Sequence, residues 1–240
     1  MRLAVSALAA LCALGAGPAL AQERPDFTGV WRLASPPMTS AQGYPDLDFT
    51  PEGAGRIAAY RALVDPAGAN PTQYCVTHGM PEMMMGGGGY PLEVIQKPDQ
   101  VTMISEAINE TRRIYLGDRI VPDSEIFPSR HGYSKGRWEG DVLVVETAHL
   151  QEMVDSRFPH SASATVTERY RMEAGADGAP RLIAETVFED DWLEAPLEYT
   201  LEWAPAEVNW MLPYECMEQT WFDAVDEMAR EAGAEPVFGR

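Results

Sequence analysis

The chain has 240 residues, with 18 Lys and Arg against 37 Asp and Glu, for a formal net charge of −19. Such a field repels nucleic acid and anionic membrane surfaces, so neither is an expected partner. An apolar fraction of 45% is ordinary for a folded domain and excludes a disordered chain.

The first residues predict the compartment. Arg2 supplies a short positive start, residues 3–20 are almost wholly apolar and small, and Ala19-Leu20-Ala21 fits the small-x-small rule for signal-peptide cleavage. The rival is a membrane anchor, but the run contains Gly15, Gly17 and Pro18 and stops near the minimum spanning length. The expectation is cleavage near Ala21, removal of Cys12, and a mature chain of residues 22–240 in the periplasm or outside the cell. Cys75 and Cys216 then remain. In an oxidising compartment a disulfide between them is the simplest reading, with two buried free thiols as the alternative.

Residues 27–33, with Phe27 and Trp31, read as the first strand. Residues 34–90 form an insert of different character, rich in Pro, Gly, Ser, Asp and Asn. Within it Thr50 can cap a helix, Pro51 suits its first turn, Glu52 suits its positive end, and Asp65-Pro66 should stop it. Met83, Met84 and Met85 offer flexible apolar surface, and Gly86 to Gly89 offer a hinge. The insert is either a lid or a surface loop with its methionines packed underneath.

From residue 91 the pattern changes to short alternating runs separated by turn residues. Strands are predicted at 92–97, 101–107, 111–116, 134–139, 142–149, 165–172, 181–189, 197–203 and 208–214, with a hairpin at Glu139-Gly140-Asp141. A helix near 221–232 ends the chain. About ten strands with mostly short connections predict one mainly β domain. An antiparallel up-and-down barrel removes the exposed edges; a two-sheet sandwich is the rival.

The opening Asp26-Phe27-Thr28-Gly29-Val30-Trp31 resembles the Gly-x-Trp start of lipocalin-like barrels. Residues 131–147 (HGYSKGRWEGDVLVVET) carry a more specific likeness. With Tyr74-Cys75, Pro159-His160-Ser161, Glu168-Arg169-Tyr170 and Tyr214-Glu215-Cys216, the chain resembles a family of secreted bacterial proteins of uncharacterised function. The resemblance spans nearly the whole mature chain. It implies bacterial secretion, a lipocalin-like barrel and a recurring cysteine pair, and it brings no activity.

The familiar catalytic signatures are missing from the sequence. His78, His131, His149 and His160 stand singly, without metal-ligand spacing, so no metal or cofactor is expected. The acidic residues Glu189-Asp190-Asp191 and Glu194 read as a solvated strand end. Polar groups on apolar faces are the better clue, since alternate residues of a strand share a side. Glu168 alternates with Val166 and Tyr170, Glu146 with Val142 and Val144, and Arg112 with Ile114 and Leu116. For residues 142–149 the opposite face, with Leu143, Val145 and Thr147, is also partly apolar.

If the polar faces point inward, Glu146 or Glu168 becomes a general base. Arg112 or Arg137 then holds an oxyanion, and His131 supplies or takes a proton. The structural alternative makes these groups satisfied ion pairs. The leading expectation is a binding protein for a small apolar or amphipathic molecule, with Arg112, Arg137, Tyr170, Met84 and His160 lining the site. A cofactor-independent acid–base enzyme is the second reading, and an envelope structural or interaction protein the third.

Overall fold

The computed structural model describes residues 24–35, 47–85, 89–214 and 219–238. The signal-peptide expectation, Cys12, Cys216 and the first three residues of the glycine run lie outside them. Among the described residues, nine strands close into a barrel: β1 (Gly29–Ser35), β2 (Leu92–Lys97), β3 (Gln100–Ser105), β4 (Glu110–Leu116), β5 (Tyr133–Glu139), β6 (Val142–Ala148), β7 (Thr165–Ala174), β8 (Pro180–Glu189) and β9 (Leu197–Pro205). Closure pairs β1 with β9 antiparallel, Leu33 opposite Trp203.

Two expectations are corrected. Residues 208–214 form no strand. Because β9 already pairs with both β8 and β1, no free edge remains for a tenth strand. The barrel is also not wholly antiparallel. β4 and β5 run parallel, with Ile114 opposite Ser134 and Leu116 opposite Gly136. A parallel neighbour needs a crossover rather than a tight turn, and residues 117–132 supply it.

The insert after β1 carries α1 (Pro51–Val64), and α2 (Gln219–Glu231) follows the barrel. The Thr50 side chain accepts from the Gly53 N–H at 3.4 Å, Pro51 occupies the first turn, and the helix stops before Asp65-Pro66. Ile57, Tyr60 and Val64 form the buried stripe at helical spacing. Tyr60 and Val64 join Val76, Trp221, Phe222 and Val225 in a cluster outside the barrel, where the two helices meet.

The barrel's own core is continuous and dense. Phe27, Trp31, Met103, Tyr170, Phe188 and Trp203 fill it, together with Met80, Met83, Met84 and Met85 from the insert. The methionines therefore pack inward beneath the loop. Among the described residues no helix is long and apolar enough to cross a membrane.

Candidate functional site

Strand register decides which polar groups face inward. Partners in an antiparallel pair share a face, so the pairings Val145–Glu168, Leu143–Tyr170 and Thr147–Val166 fix one inner set. Glu168 is inside. Glu146, one residue away from Val145, must then be outside. It is exposed and pairs with the equally exposed Arg137 at 2.5 Å. The inward placements of Glu146 and Arg137 are thus corrected by a single-residue register argument: the face carrying Leu143, Val145 and Thr147 is the buried one.

Glu168, Arg112 and Tyr170 do come together. Each is almost fully buried. Arg112 grips both oxygens of Glu168, its Nη1 lying 3.0 Å from Oε1. Its Nε donates to Ser134 Oγ at 3.0 Å and its Nη2 to Thr147 Oγ1 at 2.8 Å. The Tyr170 hydroxyl donates to Glu168 Oε1 at 2.6 Å. Burial and the neighbouring Glu168 charge push the Tyr170 hydroxyl well above its ordinary range. Glu168 is an acceptor consumed by Arg112 and Tyr170. This layer is a satisfied ion pair holding β4, β5, β6 and β7 together, which is the structural alternative read from the sequence.

His160 and Met84 also lie within the protein's interior. His160 Nδ1 meets the Ser161 carbonyl at 2.8 Å, the ring stands edge-on to Phe188, and burial lowers its pKa. Asp190 accepts from the Ser161 N–H and hydroxyl and from the Trp192 N–H. The acidic end of β8 thus serves a turn. No cluster of three metal-ligating side chains occurs among the described residues.

His131 belongs to a different group, built around Glu110. Glu110 shares the inner face of β4 with Arg112 and is 1% exposed. Its Oε2 meets His131 Nε2 at 3.0 Å and the Gly79 N–H at 3.0 Å, and its Oε1 meets His78 Nδ1 at 2.6 Å. Burial would raise the Glu110 pKa, but the bonds and charge from His131 and His78 outweigh it and leave the pKa at about 2. For His78 burial works the opposite way, and the Glu110 bond with the Glu82 and Glu110 charges overrides it, so its pKa is raised. An ionised carboxylate only accepts. The histidine nitrogens facing Glu110 must therefore carry hydrogens, leaving His78 Nε2 and His131 Nδ1 as the free positions.

Two glycines make this approach feasible. Gly79 has φ +71°, and a Cβ there would sit 2.5 Å from the Arg130 carbonyl oxygen; Gly132 has φ +60°, and a Cβ would sit 2.4 Å from the Ala148 carbonyl oxygen. One follows His78 and the other follows His131.

The two histidines open on separate cavities. His78 lines a cleft of about 550 Å³ outside the barrel, between α1 and the 76–82 and 154–157 segments. Tyr60, Glu82, Arg130, Asp155 and Arg157 share its walls. Arg130 donates from Nε to the Thr77 carbonyl at 2.7 Å and from Nη1 to both Asp155 oxygens at 3.1 Å; its Nη2 has no partner among the described residues. The Tyr60 hydroxyl is buried and has no hydrogen-bond partner among the described residues. His131 instead lines a pocket of about 220 Å³ in the β4–β5 seam, with Arg112, Arg113, Tyr133 and Ser134.

Glu110, Tyr60 and Arg130 were not among the residues expected from sequence. For Glu110 a signal existed, since it alternates with Arg112, Ile114 and Leu116 on one strand face. His78 and Arg130 carry no such signal, because their partners lie on distant segments. Searches against protein-family models and against curated proteins find no match to this chain.

Proposed function

We propose that this chain is an exported binding protein for a small amphipathic molecule, and that the molecule sits in the cleft beside α1. The observation that carries this reading is the cleft's combination of size and polar groups with spare bonding capacity. Its volume is in the range of small-molecule sites. Tyr60 and Arg130 line the cleft together with the apolar Val64, Val76 and Val154, and among the described residues the buried Tyr60 hydroxyl and the Arg130 Nη2 have no hydrogen-bond partner. A dense barrel centre supports placing the ligand outside it. Export rests on the apolar start and on the resemblance to secreted lipocalin-like proteins.

The test is native mass spectrometry of the protein incubated with a bacterial metabolite extract. Wild type should retain a small molecule. Tyr60→Phe should weaken retention several-fold, and Arg130→Leu should abolish it. Because Arg130→Leu strips the buried Asp155 of its partner, the milder Tyr60→Phe keeps the test valid if that variant fails to fold. Retention unchanged in folded variants, or no retention by wild type, overturns the reading.

A further inference from the structure

We infer that His78 is a general base in this cleft, held in place by Glu110, and that it enolises a small carbonyl compound whose oxygen faces Arg130. The inference rests on the cleft being a binding site and adds a reaction to it. Glu110 fixes the His78 ring through Nδ1 at 2.6 Å, and the Gly79 N–H anchors the other carboxylate oxygen at 3.0 Å. With Nδ1 carrying the hydrogen, the basic lone pair is on Nε2, which has no partner among the described residues, and the ring lines the cleft wall. Arg130 also lines the cleft, with Nε and Nη1 engaged and Nη2 without a partner among the described residues, a donor for developing negative charge.

The step balances without a co-reactant. Nε2 takes a proton from the carbon next to the carbonyl, the C–H pair becomes the C=C bond of an enolate, and the carbonyl pair moves to oxygen opposite Arg130. In a β,γ-unsaturated carbonyl compound the enolate extends to a dienolate, and return of the proton from Nε2 to the γ-carbon yields the conjugated isomer and regenerates His78. His78 is the catalytic residue; Glu110 is a positioning residue, because it acts through the His78 ring. The charged groups around His78 are Glu110 on β4, Glu82 on its own segment, Arg130 before β5, and Asp155 and Arg157 after β6.

The experiment uses 5-nitrobenzisoxazole, a neutral probe that opens when a base removes its ring C–H. The C–H pair forms a nitrile, the N–O bond breaks, and a coloured phenolate appears. Folded wild type should turn it over faster than an equal concentration of free imidazole. His78→Gln should lower the rate by about 100-fold or more, and added imidazole should restore part of it, which a merely structural role would not allow. Glu110→Gln should lower the rate and move the midpoint of the pH–rate profile down towards free imidazole. His149→Asn, just after β6, whose ring faces Asp123 and which does not line the cleft, should leave the rate unchanged.

Turnover that survives His78→Gln, or no turnover by folded wild type, overturns the inference. The two proposals fail separately. Wild type that retains extract ligand without turning over the probe loses the base role alone. Retention that ignores Tyr60 and Arg130 removes the cleft as the binding site.

Discussion

Two buried carboxylates on neighbouring layers of one barrel behave differently because their partners differ. Glu168 faces a permanent cation, and the pair is closed by Ser134, Thr147 and Tyr170. Removing one member strands the other, so Glu168→Gln should destabilise the fold by about 3–5 kcal/mol in urea denaturation. The double variant Arg112→Met with Glu168→Leu should recover much of that loss, since two apolar side chains leave no orphan charge. A double variant no better than the single one would contradict this account. Glu110 instead faces two titratable groups. Its carboxyl is held at about 2, below its ordinary 4.5, so its contribution is complete above about pH 4.5 and is lost as pH falls towards 2. His78 is raised above its ordinary 6.5, so its contribution is complete below that value and fades as pH rises through the higher folded value. The pair is most stabilising between those limits. Glu110→Gln should flatten the loss of unfolding free energy between about pH 5 and pH 2, by about 3 kcal/mol relative to wild type. Parallel stability curves for the two proteins would refute it.

At the scale of elements, the insert after β1 is part of the barrel rather than a cover over it. Met80, Met83, Met84 and Met85 are all buried in its core. Met84→Ala should therefore cost about 2–5 kcal/mol, as expected for a large core residue, where a surface lid would lose little. The same segment is tied down at Gly79, whose N–H bonds Glu110 and whose backbone runs against Arg130. Gly79→Ala adds a side chain at φ +71° and against a carbonyl oxygen, so it should lower the melting temperature and weaken probe turnover together. A stable Gly79→Ala variant with normal turnover would show that the segment can shift without disturbing His78. The β4–β5 seam is the barrel's irregular point. Parallel pairing with β5 covers only Ile114–Leu116 of β4; Glu110, paired on its other side with Ser105 of β3, turns its side chain to the chain before β5 and to the insert.

For the whole molecule, closure joins β1 to β9 across most of the chain. Cys75 is disulfide-bonded, and its expected partner Cys216 lies outside the described residues. Peptide mapping under non-reducing conditions should recover Cys75 linked to Cys216, and intact mass should place the exported chain's start at Gln22. Reduction should cost about 4 kcal/mol on loop-closure grounds. A Cys75 peptide joined to any other residue, or a chain still beginning at Met1, would break those expectations. The strand positions through β9, the hairpin at Gly140, the Thr50 cap and the stop before Pro66 were legible in the sequence. All of them depend on residues close together in the chain: alternation, turn chemistry and capping. The parallel β4–β5 pair, the outward turn of Glu146 and Arg137, and the meeting of His78, Glu110 and His131 were decided only by the tertiary structure. Strand register and barrel closure set those, and both come from pairing between residues far apart in sequence, where a shift of one position reverses inside and outside.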